Sequence, residues 1–140
     1  MNNTLYILDT NIISALLRLS DSQLINSPLL NRMRAYKQAS LIVCECVIYE
    51  IERGLNHRHS ERLLLRFHTK ILPLFQVAPI IFADWKSASI LWASARAKGK
   101  QLSDIDLLVA SVAIRLGGVV VTDDRDFDQL PVQTENWLHE

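Results

Sequence analysis

Acidic side chains follow two apolar segments of this sequence at the point where each segment ends. In YILDTN (residues 6–11) the apolar run is followed by Asp9, and in VVVTDD (residues 119–124) it is followed by Asp123 and Asp124. If both runs are parallel strands of one sheet, these carboxylates lie beside the crevice at its carboxyl edge, where ligands of such sheets bind. Carboxylates placed there can share protons or bind a hard cation.

A further candidate is Asp106, near the start of a predicted helix that opens after Ser103 and ends at residues 117–118. At about 100° per residue, Asp106 lies on the inward side that carries small residues such as Ala110, whereas Asp104 lies on the polar side. An ionised carboxylate on a buried face is costly unless it is paired or coordinates a metal. The alternative is that Asp106 only completes a capping box with Ser103.

The segment VIYEIERG (residues 47–54) carries two acids on another predicted helix. Glu50 and Glu52 lie on opposite flanks of its apolar stripe, so periodicity does not choose between them. The alternative is that both are solvated. Asp9, Glu50, Asp106 and Asp124 nevertheless come from four places that a parallel sheet brings to one end.

An oxygen-only set of this kind suits Mg²⁺ or Mn²⁺. Clustered carboxylates repel one another, and a cation relieves that repulsion. A metal held this way lowers the pKa of a bound water and orients it toward a phosphate. The four acids therefore predict a site for metal-assisted phosphodiester chemistry.

Alternating apolar strands and helices must position these acids. The predicted strands lie at residues 5–8, 41–44, 75–78, 119–122 and 131–134, and the predicted helices at 12–19, 28–37, 47–54, 60–72, 83–98 and 107–116, with Asn11 as the cap of the first. Most of these strands are continuous apolar runs, as in parallel sheets covered on both faces by helices. The predicted fold class is α/β.

Composition sets limits on the protein. The chain has 140 residues, 49% hydrophobic and 21% charged, which predicts one folded domain over residues 1–140. Its apolar runs are far shorter than the ~20 residues that span a bilayer. Only two cysteines occur, Cys44 and Cys46, which is typical of a reducing compartment. We therefore expect a soluble, cytoplasmic protein without a membrane segment.

Charge is unevenly distributed although the net charge is zero. Residues 53–100 contain nine basic and two acidic residues, whereas residues 101–128 contain six acidic and two basic ones. Within the basic stretch, Arg58, Arg62, Arg66 and Lys70 recur every four residues. On a continuous helix they would form one row able to follow an RNA phosphate backbone, and the alternative is a solvated helix face.

Four motifs resemble, in chain order, those of the PIN domain: YILDTN, YEIERG with its E-x-x-x-G spacing, SDIDLLVAS and VVVTDDRDF. The resemblance spans almost the whole chain, and the ending VQTENW is similar to VapC-type toxins of toxin-antitoxin pairs. It implies a three-layer α/β/α sandwich with a central, mostly parallel sheet. It also implies a Mg²⁺- or Mn²⁺-dependent endoribonuclease.

The resemblance assigns roles to individual positions. Asp9, Glu50 and Asp106 match the metal-binding catalytic acids, and Asp124 matches a less regular fourth acid. Two polar positions, Asn11 and Thr122, match residues that support the site. Because TDDRDF is one residue shorter than the common toxin pattern, Asp123 and Asp126 are alternatives for the fourth acid. Family members often carry Ser and Thr where this chain has Cys44 and Val47.

The resemblance also implies partners. The expected substrate is structured RNA, often tRNA, and the expected partner is a small VapB-like antitoxin whose tail covers the acidic crevice. A homodimer is expected. The alternative function is a non-catalytic PIN-like module that binds RNA or protein. A phosphotransferase of the haloacid-dehalogenase kind would need a second Asp two residues after Asp9, where this chain has Asn11.

Overall fold

A computed structural model describes residues 3–138 of the protein. Its central feature is a parallel sheet. Its strands lie in the spatial order β3-β2-β1-β4-β5, and all four pairings are parallel. The strands are β1 (Tyr6–Leu8), β2 (Leu41–Cys44), β3 (Gln76–Ala78), β4 (Val119–Val121) and β5 (Gln133–Glu135). The predicted α/β class with a parallel sheet is confirmed, and β1 lies at its centre.

Helices connect these strands and complete an α/β sandwich. They are α1 (Thr10–Leu17), α2 (Asp21–Ile25), α3 (Pro28–Met33), α4 (Glu45–His57), α5 (Glu61–Arg66), α6 (Phe82–Ala97) and α7 (Asp104–Leu116). Short 3₁₀ segments lie at Gln38–Ser40, Leu72–Leu74 and Arg125–Gln129, and a π-helical turn lies at Phe67–Ile71. In residues 3–138 no helix is both long and apolar enough to cross a membrane.

The core is built around fully buried strands and one buried helix. Every residue of β1, β2 and β4 is buried, as the continuous apolar runs of these strands predict. Helix α7 is buried from residue 107 to residue 113, which places it between the sheet and α6 and α4. The start of α7 is therefore held rigidly at the sheet edge where β1 ends.

Several predicted helix boundaries were wrong. The N-cap of α1 is Asp9, and Asn11 lies inside the first turn. Helix α4 begins at Glu45 and continues through Gly54 to His57, because nothing at Gly54 requires a positive φ. The short helix α2 was not predicted, although Ser20 and Gln23 form a capping box there.

A buried ion pair fixes α6 against α7. The Arg115 guanidinium donates to both carboxylate oxygens of Asp84, at 2.9 and 3.0 Å, and to the Pro79 carbonyl at 3.1 Å. Asp84 is 1% exposed and also accepts a hydrogen bond from the backbone N–H of Ile81. Both oxygens of this buried carboxylate thus accept hydrogen bonds, and the pair holds α7 in its orientation toward the sheet edge.

Candidate metal centre

Asp9 occupies the centre of the sheet's carboxyl edge. It follows β1 directly, caps the N-terminus of α1 and is 3% exposed. Its backbone N–H donates to the Val121 carbonyl at 2.9 Å, which extends the β1–β4 pairing to the point where both strands end. The two strand ends that carry Asp beside Thr in the sequence are therefore neighbours in space.

Hydrogen bonds hold the turn after β4 onto Asp9. The Thr122 hydroxyl donates to Asp9 Oδ2 at 2.9 Å and accepts from the Asp124 N–H at 3.0 Å. Asn11 Nδ2 donates to Thr122 Oγ1 at 3.5 Å, and Asn11 Oδ1 accepts from the Asp123 N–H at 3.2 Å. Thr122 thus orients the carboxylate of Asp9 and the backbone of Asp124, and Asn11 holds Thr122 in place.

Helix α7 brings Asp106 to the same crevice. Ser103 is the N-cap, and its hydroxyl accepts from the Asp106 N–H at 3.1 Å. The Asp106 side chain is half-buried and lines the crevice, whereas Asp104 is exposed. Asp106 faces inward and Asp104 outward as predicted, but Ser111, on the same side of the helix as Asp104, is buried, and its hydroxyl donates to the Leu107 carbonyl.

Helix α4 contributes Glu50 and not Glu52. Glu50 lines the crevice, and its Oε2 accepts from Arg53 Nη2 at 3.4 Å. Glu52 lies beside His68, with 3.6 Å between its Oε1 and the imidazole Nε2. Helix periodicity did not distinguish Glu50 from Glu52 as the acid that faces the crevice. The packing of α4 against α1 and α7 determines that it is Glu50.

The post-β4 loop supplies two acids. One carboxylate oxygen each from Asp106, Asp124 and Asp126 can lie within 4.8 Å of the others. The Asp126 N–H donates to Asp124 Oδ1 at 2.9 Å, which places the two side chains together. Asp123 instead lines a neighbouring cavity, where its Oδ1 accepts from Asn136 Nδ2 at 2.7 Å. Of the two alternatives to Asp124, the structure places Asp126 in the crevice beside it.

The crevice is open and has a volume of about 530 Å³, and half of its lining residues are acidic. Its lining residues are Asp9, Thr10, Asn11, Ser14, Arg18, Glu50, Ser103, Asp106, Asp124 and Asp126. Sequence reasoning missed Ser14 and Arg18. Their spacing from Asn11, at three and seven residues, is the helical signal that would have found them.

Burial and like charge act on the acids of the crevice. Burial raises the pKa of Asp9, and the charges of Glu50 and Asp124 raise it further, against the hydrogen bonds from Thr10 and Thr122. Burial first, and then the charges of Asp9 and Asp124, raise the pKa of Asp106 to about 7. The site therefore resists full ionisation at neutral pH unless positive charge is added.

The crevice fits a hard divalent cation. Its donors are carboxylate, hydroxyl and amide oxygens, the ligand types that Mg²⁺ and Mn²⁺ take. The Thr10 hydroxyl oxygen is buried and has no hydrogen-bond partner within the described chain, which leaves a further oxygen available beside Asp9. Mutual repulsion of the acids would be relieved by the same ion.

The predicted row of four cations does not form. Arg58 is the C-cap of α4, and a turn that includes His59, with φ of 53°, separates it from α5. Arg66 donates to Asp21 Oδ1 at 2.5 Å and to the Leu19 carbonyl at 2.6 Å, which ties α5 to the end of α1. Arg62 and Lys70 are exposed. The prediction of a continuous row was wrong because a turn at residues 58–60 separates α4 from α5.

Residues 6–133 match the sequence profile of the PIN domain, and the chain belongs to this family. PIN domains are generally nucleases that use divalent metals. No curated protein sequence matches the chain.

Solved structures with the same fold include toxin-antitoxin complexes. FitAcB from Neisseria gonorrhoeae has a TM-score of 0.78 and 24% identity, with 97% of this chain and 100% of that chain covered. VapBC2 from Rickettsia felis, bound to a promoter DNA fragment, has a TM-score of 0.79 and 22% identity, with 96% and 99% covered. VapC20 from Mycobacterium tuberculosis, a toxin that cleaves the sarcin-ricin loop, has a TM-score of 0.66 and 17% identity, with 88% and 92% covered. The fold is that of VapC-like PIN domains.

Proposed function

We propose that this protein is a Mg²⁺- or Mn²⁺-dependent endoribonuclease, the toxin of a VapBC-type toxin-antitoxin pair. The observation that carries the proposal is the convergence of acids from β1, α4, α7 and the post-β4 loop in one open crevice. Membership of the PIN domain family supports the same reading.

In this proposal Asp9, Glu50, Asp106 and Asp124 hold the metal, with Asp126 beside them. A bound divalent cation supplies a water of lowered pKa and neutralises charge at the phosphate. The protein's own part is orientation: Thr122 donates to the carboxylate of Asp9 and is itself held by Asn11, and Ser103 fixes the start of α7. These groups are in place before substrate arrives, so little reorganisation is needed in the reaction.

The proposed substrate is structured RNA, with tRNA as the first class to test. The solved relative that cleaves the sarcin-ricin loop acts on a structured RNA, and this supports the choice. An open crevice also admits a backbone phosphate more easily than an enclosed pocket would. The exposed cations Arg58, Arg62 and Lys70 are proposed to assist RNA binding, whereas Arg66 is already bonded to Asp21.

The proposed partner is a small antitoxin. FitAB and VapBC structures are toxin-antitoxin complexes, which supports such a partner. A groove of about 770 Å³ adjoins the acidic crevice and shares Glu50 and Ser103 with it, and its walls include Tyr49, Trp85 and Leu108. An antitoxin tail with apolar side chains that filled this groove would cover Glu50.

Cleavage assays test the nuclease proposal. Protein free of copurified antitoxin is incubated with total RNA and with a tRNA pool, in Mg²⁺, in Mn²⁺ or in EDTA. We expect discrete fragments that require the metal and are lost in the Asp106→Asn variant, by about 100-fold or more if a metal ligand is removed. Asp104→Asn is the matched control, because Asp104 is exposed on the same helix turn.

The opposite result would identify a binding module. If wild-type protein retards RNA on a gel and yields no fragments in either metal, the chain binds RNA without cutting it. If Asp104→Asn and Asp106→Asn lose cleavage equally, the observed activity does not come from this crevice.

A further inference from the structure

The walls of the acidic crevice differ sharply in charge. Helix α4, helix α7 and the post-β4 loop each contribute carboxylates, as does the end of β1. Helix α1 contributes a different wall, made of Thr10, Asn11, Ser14 and finally Arg18. Arg18 is the only basic residue among the described residues that line the crevice. The α1 wall is therefore the side along which a polyanion meets least repulsion.

Helix α1 places the backbone of Arg18 at the end of the crevice wall that lies away from Asn11. Asn11, Ser14 and Arg18 are spaced at i, i+3 and i+7, so they share one face of the helix, and all three line the crevice. Seven residues of helix rise by about 10 Å. The Cα of Arg18 thus lies roughly two helical turns from the Cα of Asn11, at the far end of this polar face.

Arg18 is available for a ligand, whereas its basic neighbours are committed. Arg18 is exposed and forms no ion pair with any acid in residues 3–138. Arg66 donates to the Asp21 carboxylate and to the carbonyl of Leu19, the residue that follows Arg18. Arg53 donates to Glu50. A guanidinium is always charged and its planar fork matches a phosphate, so Arg18 is well suited to bind one.

We infer that Arg18 binds a backbone phosphate of the RNA next to the one that is cleaved, so that the bound strand runs from the acids along α1. This inference rests on the proposed ribonuclease function for the identity of the strand. Arg18 is a positioning residue in this assignment, because the phosphate that it binds is not the one that is cleaved. It supplies the positive charge that a crevice with five carboxylates otherwise lacks.

RNA binding tests the inference without cleavage. In an Asp106→Asn background, a short single-stranded RNA of mixed sequence is titrated with Arg18→Gln, with Arg18→Lys and with the unaltered background at several salt concentrations. We expect Arg18→Gln to weaken binding about tenfold and to lower the salt slope by about 0.7, the share of one phosphate contact on a single strand. Arg18→Lys should recover most of the salt slope and only part of the affinity.

Lys37→Gln is the matched control, because Lys37 is an exposed cation just before β2, at the amino edge of the sheet. It should leave affinity and salt slope unchanged. Equal losses in Lys37→Gln and Arg18→Gln would mean a general loss of charge and would overturn the inference. Unchanged binding in Arg18→Gln would overturn it as well.

Kinetics with Asp106 restored separate this inference from the proposed function. If the protein cleaves RNA, Arg18→Gln should raise KM about tenfold and leave kcat nearly unchanged, as expected when a contact made equally in ground and transition states is lost. A fall in kcat with KM unchanged would place Arg18 in the reaction and overturn the positioning role. If no RNA is cleaved but binding still depends on Arg18, the nuclease proposal fails and the phosphate contact stands.

Discussion

Asp106 makes the crevice sensitive to pH. Its pKa rises from a usual 3.8 to about 7, mainly through burial and then through the charges of Asp9 and Asp124. The folded protein therefore binds this proton more tightly than the unfolded chain does. In metal-free protein, the stability that Asp106 contributes through this proton is therefore fully present below about pH 4. It is lost as the pH rises from about 4 to about 7, and it is absent above that range.

The predicted result is a pH-dependent effect of Asp106→Asn on thermal stability. In EDTA, the variant should raise the Tm relative to wild type at about pH 8 and much less at about pH 5. Thermal denaturation followed by circular dichroism measures this. Addition of Mg²⁺ should raise the wild-type Tm at the higher pH, because the cation replaces the missing positive charge. Parallel Tm profiles for the two proteins would contradict the assignment.

The Thr122 hydroxyl contacts both Asp9 and Asp124, through the carboxylate of the first and the backbone N–H of the second. Replacement by Val keeps the shape of this buried side chain and removes both the donor to Asp9 and the acceptor for the Asp124 N–H. Residues that orient metal ligands typically contribute 10- to 100-fold to metal affinity, so we expect a loss of about that size. Titration calorimetry with Mn²⁺ measures it, and Thr122→Ser should stay close to wild type. Equal losses in both variants would point to packing of the methyl group instead.

Two glycines on different elements should respond oppositely to alanine. At Gly118, before β4, a Cβ would lie 2.8 Å from the Leu5 carbonyl oxygen and would also overlap the Ile7 side chain. Gly54, inside α4, has open space at the Cβ position. Gly118→Ala should therefore destabilise the protein by about 1–3 kcal/mol. Gly54→Ala should stabilise it by about 0.5–1 kcal/mol.

Urea denaturation of both variants measures these free energies of unfolding. The pair serves as its own control, because the chemical change is identical and only the surroundings differ. A destabilised Gly54→Ala variant would mean that α4 does not continue through this position in solution.

Within residues 3–138, helix α6 exposes several large apolar side chains. On α6, Phe82 is 75% exposed, Ile90 is 69% exposed and Trp85 is 56% exposed. Extended apolar surface of this kind is uncommon on monomers and marks interaction sites. It supports the proposed homodimer.

Ile90→Glu should therefore shift the protein from a dimer toward the mass of one 16.0 kDa chain. Size-exclusion chromatography with light scattering measures this shift. Leu65→Glu is the control, because Leu65 is 66% exposed on α5 and undergoes the same change of polarity. If wild type already elutes as a monomer at high concentration, the α6 face serves another partner.

Apolar runs and helix periodicity in the sequence predicted the parallel sheet and the location of most acids in the crevice. The buried strands β1, β2 and β4 read as continuous apolar runs, and Asp106 read as inward-facing from helix periodicity alone. The errors arose where tertiary contacts override local signals. Gly54 reads as a helix stop, but its surroundings tolerate a helical glycine. The four basic residues read as one row, but a turn at residues 58–60 separates Arg58 from α5.

The acids of the crevice also show which features the local sequence predicts and which depend on the folded structure. Apolar runs followed by Asp, joined by helices, were enough to place Asp9 and Asp124 at one edge of a parallel sheet, because continuous apolar runs indicate buried parallel strands from local sequence alone. Periodicity left open whether Glu50 or Glu52 faces the acids, and motif spacing left open which acid accompanies Asp124. Nothing in the sequence indicated that Arg18 forms no ion pair with an acid in residues 3–138. These features depend on contacts between segments more than 30 residues apart, such as Arg66 with Asp21, and on packing that only the folded chain establishes.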